Sequence, residues 1–320
     1  MADANINKLA PIKAISVVIP TFCRDQVLID SIAHLLQQDR PATEFLVVDQ
    51  SPTHAPDVAA ALERWHREDQ IVWIRLALPS ITHAMNVGLQ TAHSEVVLFL
   101  DDDIVPGPQL LLAHARAHGE GIANIVAGQV LQPGEAVRHV SPNDGAEGNS
   151  AACEFRFSYD QRRWITEVMG GNFSVRREVA LGLGGFDENF VHVAYRFEAE
   201  FCDRALTAGE RVLFEPDASI RHLRASQGGT RAYGNHLTTV RPSHAVGAYY
   251  YLLRARRIRH RYRNILLRLI RSVRTKHHLL HPWWIPATLL AELLGLFWAL
   301  RLILSGPRLI GGFAKARRAG

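Results

Sequence analysis

The sequence V-V-L-F-L-D-D-D at residues 96–103 runs from an apolar segment directly into three consecutive carboxylates. The apolar part is typical of a buried strand, in which side chains alternate between faces. Asp101 and Asp103 are therefore expected on one side and Asp102 on the other. Because neighbouring anions repel, this arrangement favours a bound cation, and oxygen ligands at the carboxyl end of such a strand suit Mg²⁺ or Mn²⁺. An acidic turn is the alternative interpretation.

Segments of strand and helix type alternate on both sides of this sequence. The predicted strands are residues 15–19, 45–48, 71–76, 96–100 and 125–131, and the predicted helices are 25–38, 55–69 and 82–92. This order predicts an α/β fold with a mostly parallel sheet flanked by helices. Further predictions are a strand at 172–176, a helix at 197–208, a short strand at 212–214 and a surface loop at 133–150.

Charge is divided unevenly along the 320 residues. Residues 241–320 contain 16 Lys or Arg and a single acid, Glu292, whereas the rest of the chain contains 20 Lys or Arg and 30 Asp or Glu. A basic segment on an acidic body predicts a polyanionic partner, either nucleic acid or an anionic membrane. The widely spaced Cys23, Cys153 and Cys202 fit a reducing cytosol, and the first residues lack a signal-peptide pattern. We therefore expect the protein on the cytoplasmic side.

Several enzyme classes are disfavoured by missing motifs. No G-x-G-x-x-G follows the first predicted strand, and G-x-x-x-x-G-K-[ST] does not occur. The sequence L-D-D-D-I-V also satisfies the D-x-D-x-V motif of aspartyl phosphatases, but those enzymes need a downstream Lys near the phosphate. Lys occurs only at 8, 13, 276 and 315, so none lies in the body of the chain after Asp103. Dinucleotide enzymes, P-loop ATPases and aspartyl phosphatases are therefore unlikely classes on sequence grounds.

Several segments resemble the family 2 glycosyltransferases in order and spacing. They are S-V-V-I-P-T-F-C-R, F-L-V-V-D-Q-S, A-M-N-V-G-L-Q-T-A and V-V-L-F-L-D-D-D, followed by G-G-N-F-S-V-R-R and G-G-F-D-E-N-F. Members of that family are inverting enzymes of the GT-A fold that use nucleotide-sugar donors. The resemblance implies a GT-A catalytic domain over residues 1–240 and leaves residues 241–320 unexplained.

The resemblance also implies roles for donor-binding residues. Pro20, Thr21 and Arg24 would border the nucleotide pocket, Asp49 would bind the base, Asn86 would lie near the donor, and Asp101 would approach the ribose or sugar. A turn before Ser51 is the alternative interpretation of Asp49. Gln50 stands where the family often has a second acid, which makes the identity of the base less secure.

Three further residues are predicted to bind the metal or the diphosphate. By resemblance, Asp103 would ligate the metal, and His222 falls where many relatives have a histidine ligand. Imidazole beside carboxylate shifts preference from Mg²⁺ toward Mn²⁺, so we expect Mn²⁺ to support activity best. Arg231, in the glycine-containing loop at 226–231, is expected to clamp the diphosphate. A surface histidine and a plain surface turn are the respective alternatives.

The general base is expected within R-F-E-A-E-F-C-D-R at residues 196–204. An inverting displacement needs a carboxylate on the face opposite the leaving group. Alignment on Arg204 puts Glu198 at the family's base position and Phe197, a departure, at its first acid. Glu200 lies four residues before Arg204 and fits an ion pair, whereas Glu198 shares an apolar face that raises its pKa. Glu198 is therefore the predicted base.

The basic segment predicts two helices. Residues 249–274 carry an apolar and a cationic stripe, and residues 283–304 form an apolar helix of membrane-spanning length, interrupted by Glu292 and Arg301 and flanked by Trp. This pair is typical of monotopic attachment to an anionic cytoplasmic leaflet. A true span and a soluble packing or dimer element are the alternatives. Nucleic acid is a poor partner for an apolar helix.

Together these features predict a metal-dependent, inverting, hexosyltransferase-type enzyme at the cytoplasmic face of the inner membrane. It would move a sugar from a nucleoside-diphosphate sugar to a glycan acceptor in bacterial surface polysaccharide synthesis. The membrane-binding region predicts that this acceptor is lipid-linked. A non-catalytic membrane scaffold with a degenerate transferase fold is the alternative, because Phe197 and Gln50 depart from the family pattern.

Overall fold

The computed structural model describes residues 12–40, 42–139 and 155–311. Cys153, the start of the chain at 1–11 and part of the predicted surface loop, residues 140–150, lie outside the described residues. The strands are β1 (Ile15–Thr21), β2 (Glu44–Asp49), β3 (Val72–Arg75), β4 (Val96–Leu100), β5 (Ile104–Pro106), β6 (Ile125–Leu131), β7 (Arg163–Ile165), β8 (Asn172–Arg176) and β9 (Val212–His222).

Helices alternate with these strands in the first half of the chain and follow them at the end. They are α1 (Gln26–Leu36), α2 (Pro56–Arg67), α3 (Ile81–Thr91), α4 (Leu110–Gly119), α5 (Arg177–Gly182), α6 (Phe197–Thr207), α7 (Val246–Arg254), α8 (Arg261–Val273), α9 (Lys276–Leu280) and α10 (Ile285–Ser305). Short 3₁₀ helices occur at Gly229–Tyr233, Pro242–His244 and Pro282–Trp284.

The strands form one sheet in the order β3-β2-β1-β4-β8-β6-β9-β5, with β7 beside β9. β1, β2, β3, β4, β6 and β9 run in one direction, and β5, β7 and β8 run against them. The predicted α/β class with a mostly parallel sheet is confirmed. Close helix packing depends on Gly88 of α3, because a Cβ there would overlap the side chain of Val18 in β1.

The three acids lie in the bend between β4 and β5 rather than within a strand. The strand expected at 212–214 is wrong in length, because β9 continues to His222. Its first part pairs with β6, and its last residues pair with β5, where His222 lies opposite Ile104. This pairing extends the strand through E-P-D-A, which lacks an apolar pattern, and brings His222 beside Asp103.

The amphipathic helix expected at 249–274 is two helices. α7 ends at Arg254, and Asp203 accepts hydrogen bonds from the backbone N–H groups of Arg256 and Arg257 in the break before α8. α7 is also more deeply buried than expected, because Tyr249 and Tyr250 are fully buried in the main core. The predicted apolar helix is confirmed as α10. The division at residue 240 stays a prediction.

Candidate active site

A pocket of about 620 Å³ opens at the carboxyl ends of β1, β2 and β4. Most of the residues predicted from sequence line it. These are Pro20, Thr21, Arg24, Asp101, Asp103, Glu198, His222 and Arg231. Side chains from five separated parts of the chain therefore converge on one cavity, because parallel strands end at the same edge of the sheet.

Asp101, Asp103 and His222 form a cluster suited to a metal ion. His222 Nε2 lies 3.0 Å from Asp103 Oδ1 and 3.7 Å from Asp101 Oδ2. Ligands of one ion bound at about 2.1 Å lie about 3 Å apart when adjacent and about 4 Å apart when opposite. These atoms all lie within 4.8 Å of one another, so small side-chain movements would let them bind a common divalent ion. Two carboxylates with one imidazole favour Mn²⁺ over Mg²⁺.

The cluster is held together by charge and by a neighbouring amide. Although burial lowers the pKa of His222, its hydrogen bond to Asp103 and the charge of Asp101 raise that pKa. The pKa of Asp103 is lowered by His222 despite burial. His222 Nδ1 lies 3.2 Å from Gln132 Oε1, which can accept a hydrogen bond from Nδ1–H and leave Nε2 for a metal.

Asp102 lines the same pocket but has different partners from the metal cluster. Thr21 Oγ1 donates a hydrogen bond of 2.7 Å to Asp102, and burial raises the pKa of Asp102 to about 7. Arg24 Nε lies 3.5 Å from Asp102, and Arg24 Nη2 lies 3.5 Å from Asp103. Among the described residues, Nε and Nη1 of this buried guanidinium have no hydrogen-bond partner. Arg24 therefore retains donors for an anionic ligand.

Glu198 lies in the first turn of α6 and reaches into the same pocket. Burial raises its pKa to about 7, the charge of Asp101 adds to that effect, and a backbone hydrogen bond from Gly170 acts against it. A Cβ at Gly170 would lie only 3.0 Å from Glu198 Oε1. The carboxylate therefore packs directly against the backbone of Gly170, where no side chain intervenes. The raised pKa that sequence reasoning predicted follows from this burial.

Glu200 has a different role in the structure. Its carboxylate accepts hydrogen bonds of 2.8 Å from Arg204 Nε and 2.8 Å from Arg254 Nε of α7. Although burial acts in the opposite direction, these two cations lower the pKa of Glu200. The predicted ion pair with Arg204 is confirmed, and Glu200 does not line the pocket. It instead fastens α6 to α7.

The structure does not bring Asp49 to the pocket. Its Oδ2 accepts a hydrogen bond of 3.0 Å from Trp73 Nε1 and lies 2.9 Å from His54 Nε2. Its Oδ1 accepts a hydrogen bond from the backbone N–H of Ser51, which is the turn contact of the alternative interpretation. The neighbouring Gln50 lines the pocket in its place.

Asn86 is also directed into the protein. Its Nδ2 donates to the carbonyl of Phe186 at 2.9 Å, and its Oδ1 accepts from the Phe186 N–H at 2.8 Å. The side chain is buried and joins α3 to the segment before α6. Asn86 therefore supports the pocket from behind and does not line it.

The loop at 226–231 closes one side of the cavity. The backbone N–H of Gly229 donates to the carbonyl of Phe22, and Gly228 has a φ of +71°. The Ala225 N–H donates to Asp103 Oδ2 at 2.7 Å, and the Arg231 guanidinium donates to the Ala225 carbonyl. Arg231 is thus connected to a predicted metal ligand through one residue.

Comparison with known proteins establishes the family. Residues 16–183, more than half of the chain, match the sequence profile described as Glycosyl transferase family 2. The chain belongs to glycosyl transferase family 2. The resemblance to the family 2 glycosyltransferases that the sequence motifs indicated is confirmed.

Two curated relatives match part of this chain. The O-antigen biosynthesis protein RfbC of Myxococcus xanthus is 28% identical over an alignment of 229 residues that covers 65% of this chain and 18% of that protein. Validoxylamine A glucosyltransferase of Streptomyces hygroscopicus subsp. limoneus is 27% identical over an alignment of 218 residues that covers 58% of this chain and 48% of that protein. The chain spans less than half the length of either relative.

Among solved structures, a mannosyltransferase from Pyrobaculum calidifontis, in complex with GDP-Man and Mn²⁺, is similar to this glycosyltransferase. The TM-score is 0.53 at 18% identity, and the likeness covers 93% of this chain and 82% of the other. The GT-A fold expected from the sequence is therefore confirmed.

Sequence reasoning missed two features of the glycosyltransferase pocket. A Cβ at Gly171 would overlap the carboxylate of Asp101, so the G-G pair at 170–171 is what lets Asp101 and Glu198 approach the backbone. The signal was present in M-G-G-N-F, which served only as part of the resemblance. No sequence motif indicated Gln132. It lies at the end of β6 and contacts His222 only in the folded protein.

Proposed function

We propose that this glycosyltransferase moves a sugar from a nucleoside-diphosphate sugar to a glycan acceptor by an inverting, cation-dependent displacement. One observation supports this proposal above all. The Asp101, Asp103 and His222 cluster and the carboxylate of Glu198 line the same pocket. The similar mannosyltransferase binds GDP-Man and Mn²⁺, which agrees with this donor class.

Residues at the strand ends would hold the donor. Asp103 and His222, with Asp101 beside them, would hold Mn²⁺ or Mg²⁺, which supplies positive charge to the diphosphate oxygens of the leaving group. Arg24 offers buried guanidinium donors to the same diphosphate, and Arg231 enters the pocket from the closing loop. Asp101 is also in reach of the ribose or sugar hydroxyls.

The nucleoside end of the donor would lie against β1 and β2. Pro20 and Thr21 line this end of the pocket, and Gln50 faces it where Asp49 does not. For Asp49 and Asn86 we propose supporting roles, since both are engaged by neighbouring protein groups. Gln50 itself donates to the Thr21 carbonyl and accepts from the Ser80 N–H, so backbone groups at the strand ends would read the base.

Glu198 would act as the general base. In an inverting displacement, the acceptor oxygen forms a bond to the anomeric carbon as the bond to the diphosphate breaks. The carboxylate of Glu198 accepts the proton released by the acceptor hydroxyl. With a pKa of about 7, a substantial fraction of Glu198 is ionised at neutral pH and is still basic enough to take that proton.

The scaffold alternative is the weaker one on this geometry. Phe197, one of the two departures that kept it open, is buried in the core and borders the pocket beside Glu198, which supplies a carboxylate there. The missing first acid therefore removes no carboxylate from the position of the base. Catalysis needs only the group that faces the substrate.

The C-terminal helices support membrane association. Pro282–Ser305 is long and apolar enough to cross a bilayer by length and composition. One side of α10, with Ala291, Gly295 and Ala299, is buried in the protein. Large apolar side chains on α8 to α10 are exposed, namely Tyr262, Leu266, Ile270, Leu279, Leu280, Trp283, Leu290, Leu293, Leu294, Phe297, Leu300 and Leu304.

Packing of α10 favours interfacial docking over a span. The acid that interrupts its apolar sequence, Glu292, pairs with Arg268 of α8 at 3.0 Å. The exposed Arg263 and Arg271 of α8 add positive charge beside the apolar surface. We propose peripheral attachment to the anionic cytoplasmic face of the inner membrane, where a lipid-linked acceptor would lie. The O-antigen relative supports a role in surface polysaccharide synthesis.

A thermal-shift screen of nucleotide sugars tests the proposed donor chemistry. At least one donor is expected to raise the Tm with Mn²⁺ present, because a ligand that binds only the folded state stabilises it. The effect should vanish with EDTA and in Asp103→Asn. Equal stabilisation with EDTA would contradict the metal role. For the membrane, wild-type protein that stays in the supernatant with anionic vesicles would contradict docking.

A further inference from the structure

We propose that the loop at residues 191–196, directly before α6, forms the subsite that binds the acceptor saccharide. The inference rests on the proposed glycosyltransferase function and adds the residues that receive the acceptor. His192, Tyr195 and Arg196 of this loop line the pocket beside Glu198. The loop leads into the helix that carries the base, so its side chains lie where an acceptor hydroxyl must be placed.

Every second residue of this loop from His192 to Arg196 has a strained backbone conformation. His192, Ala194 and Arg196 have φ values of 59°, 51° and 76°, in the left-handed region that residues with a Cβ seldom adopt. Strain of this kind persists only where surrounding structure holds it, and it is concentrated at binding and catalytic sites. Three such residues in alternate positions, all bordering one pocket, indicate a loop shaped for a ligand rather than for folding alone.

The C-terminal helices hold the loop in this shape. A Cβ at Gly247 of α7 would lie 2.5 Å from the carbonyl oxygen of Tyr195, so α7 packs directly on the loop backbone. Trp298 of α10 packs edge-on against His192, with ring centroids 5.5 Å apart. The proposed membrane-docking helices therefore form the outer support of the acceptor subsite.

The side chains of the loop suit a sugar ring. Tyr195 is 42% exposed, and Arg196 lies over its ring at 5.1 Å. His192 meets Tyr233, another pocket residue, at 5.2 Å between ring centroids. Pyranose rings present C–H faces that pack on aromatic rings and hydroxyls that bond to Tyr, His and Arg, and amphipathic aromatic side chains offer both kinds of contact.

The test measures binding of methyl glycosides of glucose, galactose, mannose and N-acetylglucosamine by saturation-transfer NMR. Full-length protein is used with Mn²⁺ and UDP or GDP. Trp164 supplies a matched control, because it is 41% exposed, lies under Arg211 and does not line the pocket. At least one glycoside is expected to bind wild type and Trp164→Ala alike. Tyr195→Ala should bind it roughly tenfold more weakly, and Tyr195→Phe should restore binding.

Two results would overturn the inference alone. These are equal glycoside binding by Tyr195→Ala and wild type, or no glycoside binding by a wild-type protein that does bind the nucleotide with Mn²⁺. A wild-type protein that binds neither UDP nor GDP with Mn²⁺ overturns the proposed function together with the inference. Folding of each variant is checked by its Tm, which an exposed side chain such as Tyr195 should leave unchanged.

Discussion

Two charge-rich regions of the molecule behave in opposite ways. At the end of β4, Asp102 and Asp103 are buried and contact partners far away in sequence, such as Thr21 and His222. On α8, Arg263 and Arg271 are exposed, and Arg268 is held by Glu292. Buried, convergent charge of one sign needs a compact counter-ion, whereas dispersed surface charge beside apolar side chains suits an extended anionic surface. The sign of the charge alone does not indicate the class of ligand, whereas the burial of the charged side chains does.

The largest effect is expected from neutralising Glu198, the acid that lines the pocket. Glu198→Gln should lower kcat by roughly 10² to 10⁴-fold, because removal of a general base costs about that much. Affinity for the donor with Mn²⁺ is measured alongside kcat and should remain. Near-normal turnover of Glu198→Gln together with an inactive Glu200→Gln would show that the base is misassigned.

The second prediction concerns an acid that is buried but structural. Glu200→Ala leaves Arg204 and Arg254 without their shared carboxylate and should lower the free energy of unfolding by about 3 to 5 kcal/mol. Urea unfolding provides the measurement. Glu178, an exposed acid on α5, is the control, and Glu178→Ala should stay within about 0.5 kcal/mol of wild type. Equal stability of the two variants would contradict the structural role of Glu200.

The third prediction addresses the exposed apolar surface. Replacing Leu293, Phe297 and Leu300 together with Ser should weaken co-sedimentation with anionic vesicles by roughly tenfold or more, since each loses apolar area available for insertion. Leu78→Ser is the control, because Leu78 is 76% exposed on the loop between β3 and α3, outside the C-terminal helices. Unchanged vesicle binding by the triple variant would contradict membrane docking through this surface.

The smallest expected effect is a pH dependence of kcat/KM that arises from Glu198 in the pocket. The base must be ionised, and the pKa of Glu198 is raised by burial to about 7. Activity is therefore lost as pH falls below this value, so kcat/KM should drop about tenfold per pH unit below about pH 7 and level off above it. Initial rates at saturating Mn²⁺ measure the profile. A flat profile across about pH 5.5 to 8 would contradict a base with a raised pKa.

The fold was largely predictable because its first half has strong local patterns. Apolar strands that alternate with helices specify the sheet, and the D-D-D sequence marks its functional edge. The length of β9 was not predictable, since E-P-D-A has no apolar alternation and extends only by pairing with β6 and β5. The break between α7 and α8 was missed for a related reason, because Asp203, distant in sequence, supplies its hydrogen bonds.

Residues of the candidate site were likewise predictable only where a local motif marked them. Asp103 and His222 were found from motif position, and their contact at 3.0 Å agrees with a shared ligand. The orientation of Asp49 was not predictable, because His54 and Trp73 take up its carboxylate only after β2 and β3 pair. The strained loop at 191–196 left no sequence signal either, since left-handed backbone at His192 and Ala194 depends on packing against the C-terminal helices.

The most direct test is a crystal of the full chain grown with Mn²⁺ and UDP or GDP, with an anomalous difference map recorded for manganese. The account predicts a manganese peak about 2.2 Å from Asp103 and His222, with the diphosphate of the nucleotide bound to it and Arg24 in contact. A nucleotide bound elsewhere, or a manganese peak away from these side chains, would contradict the account.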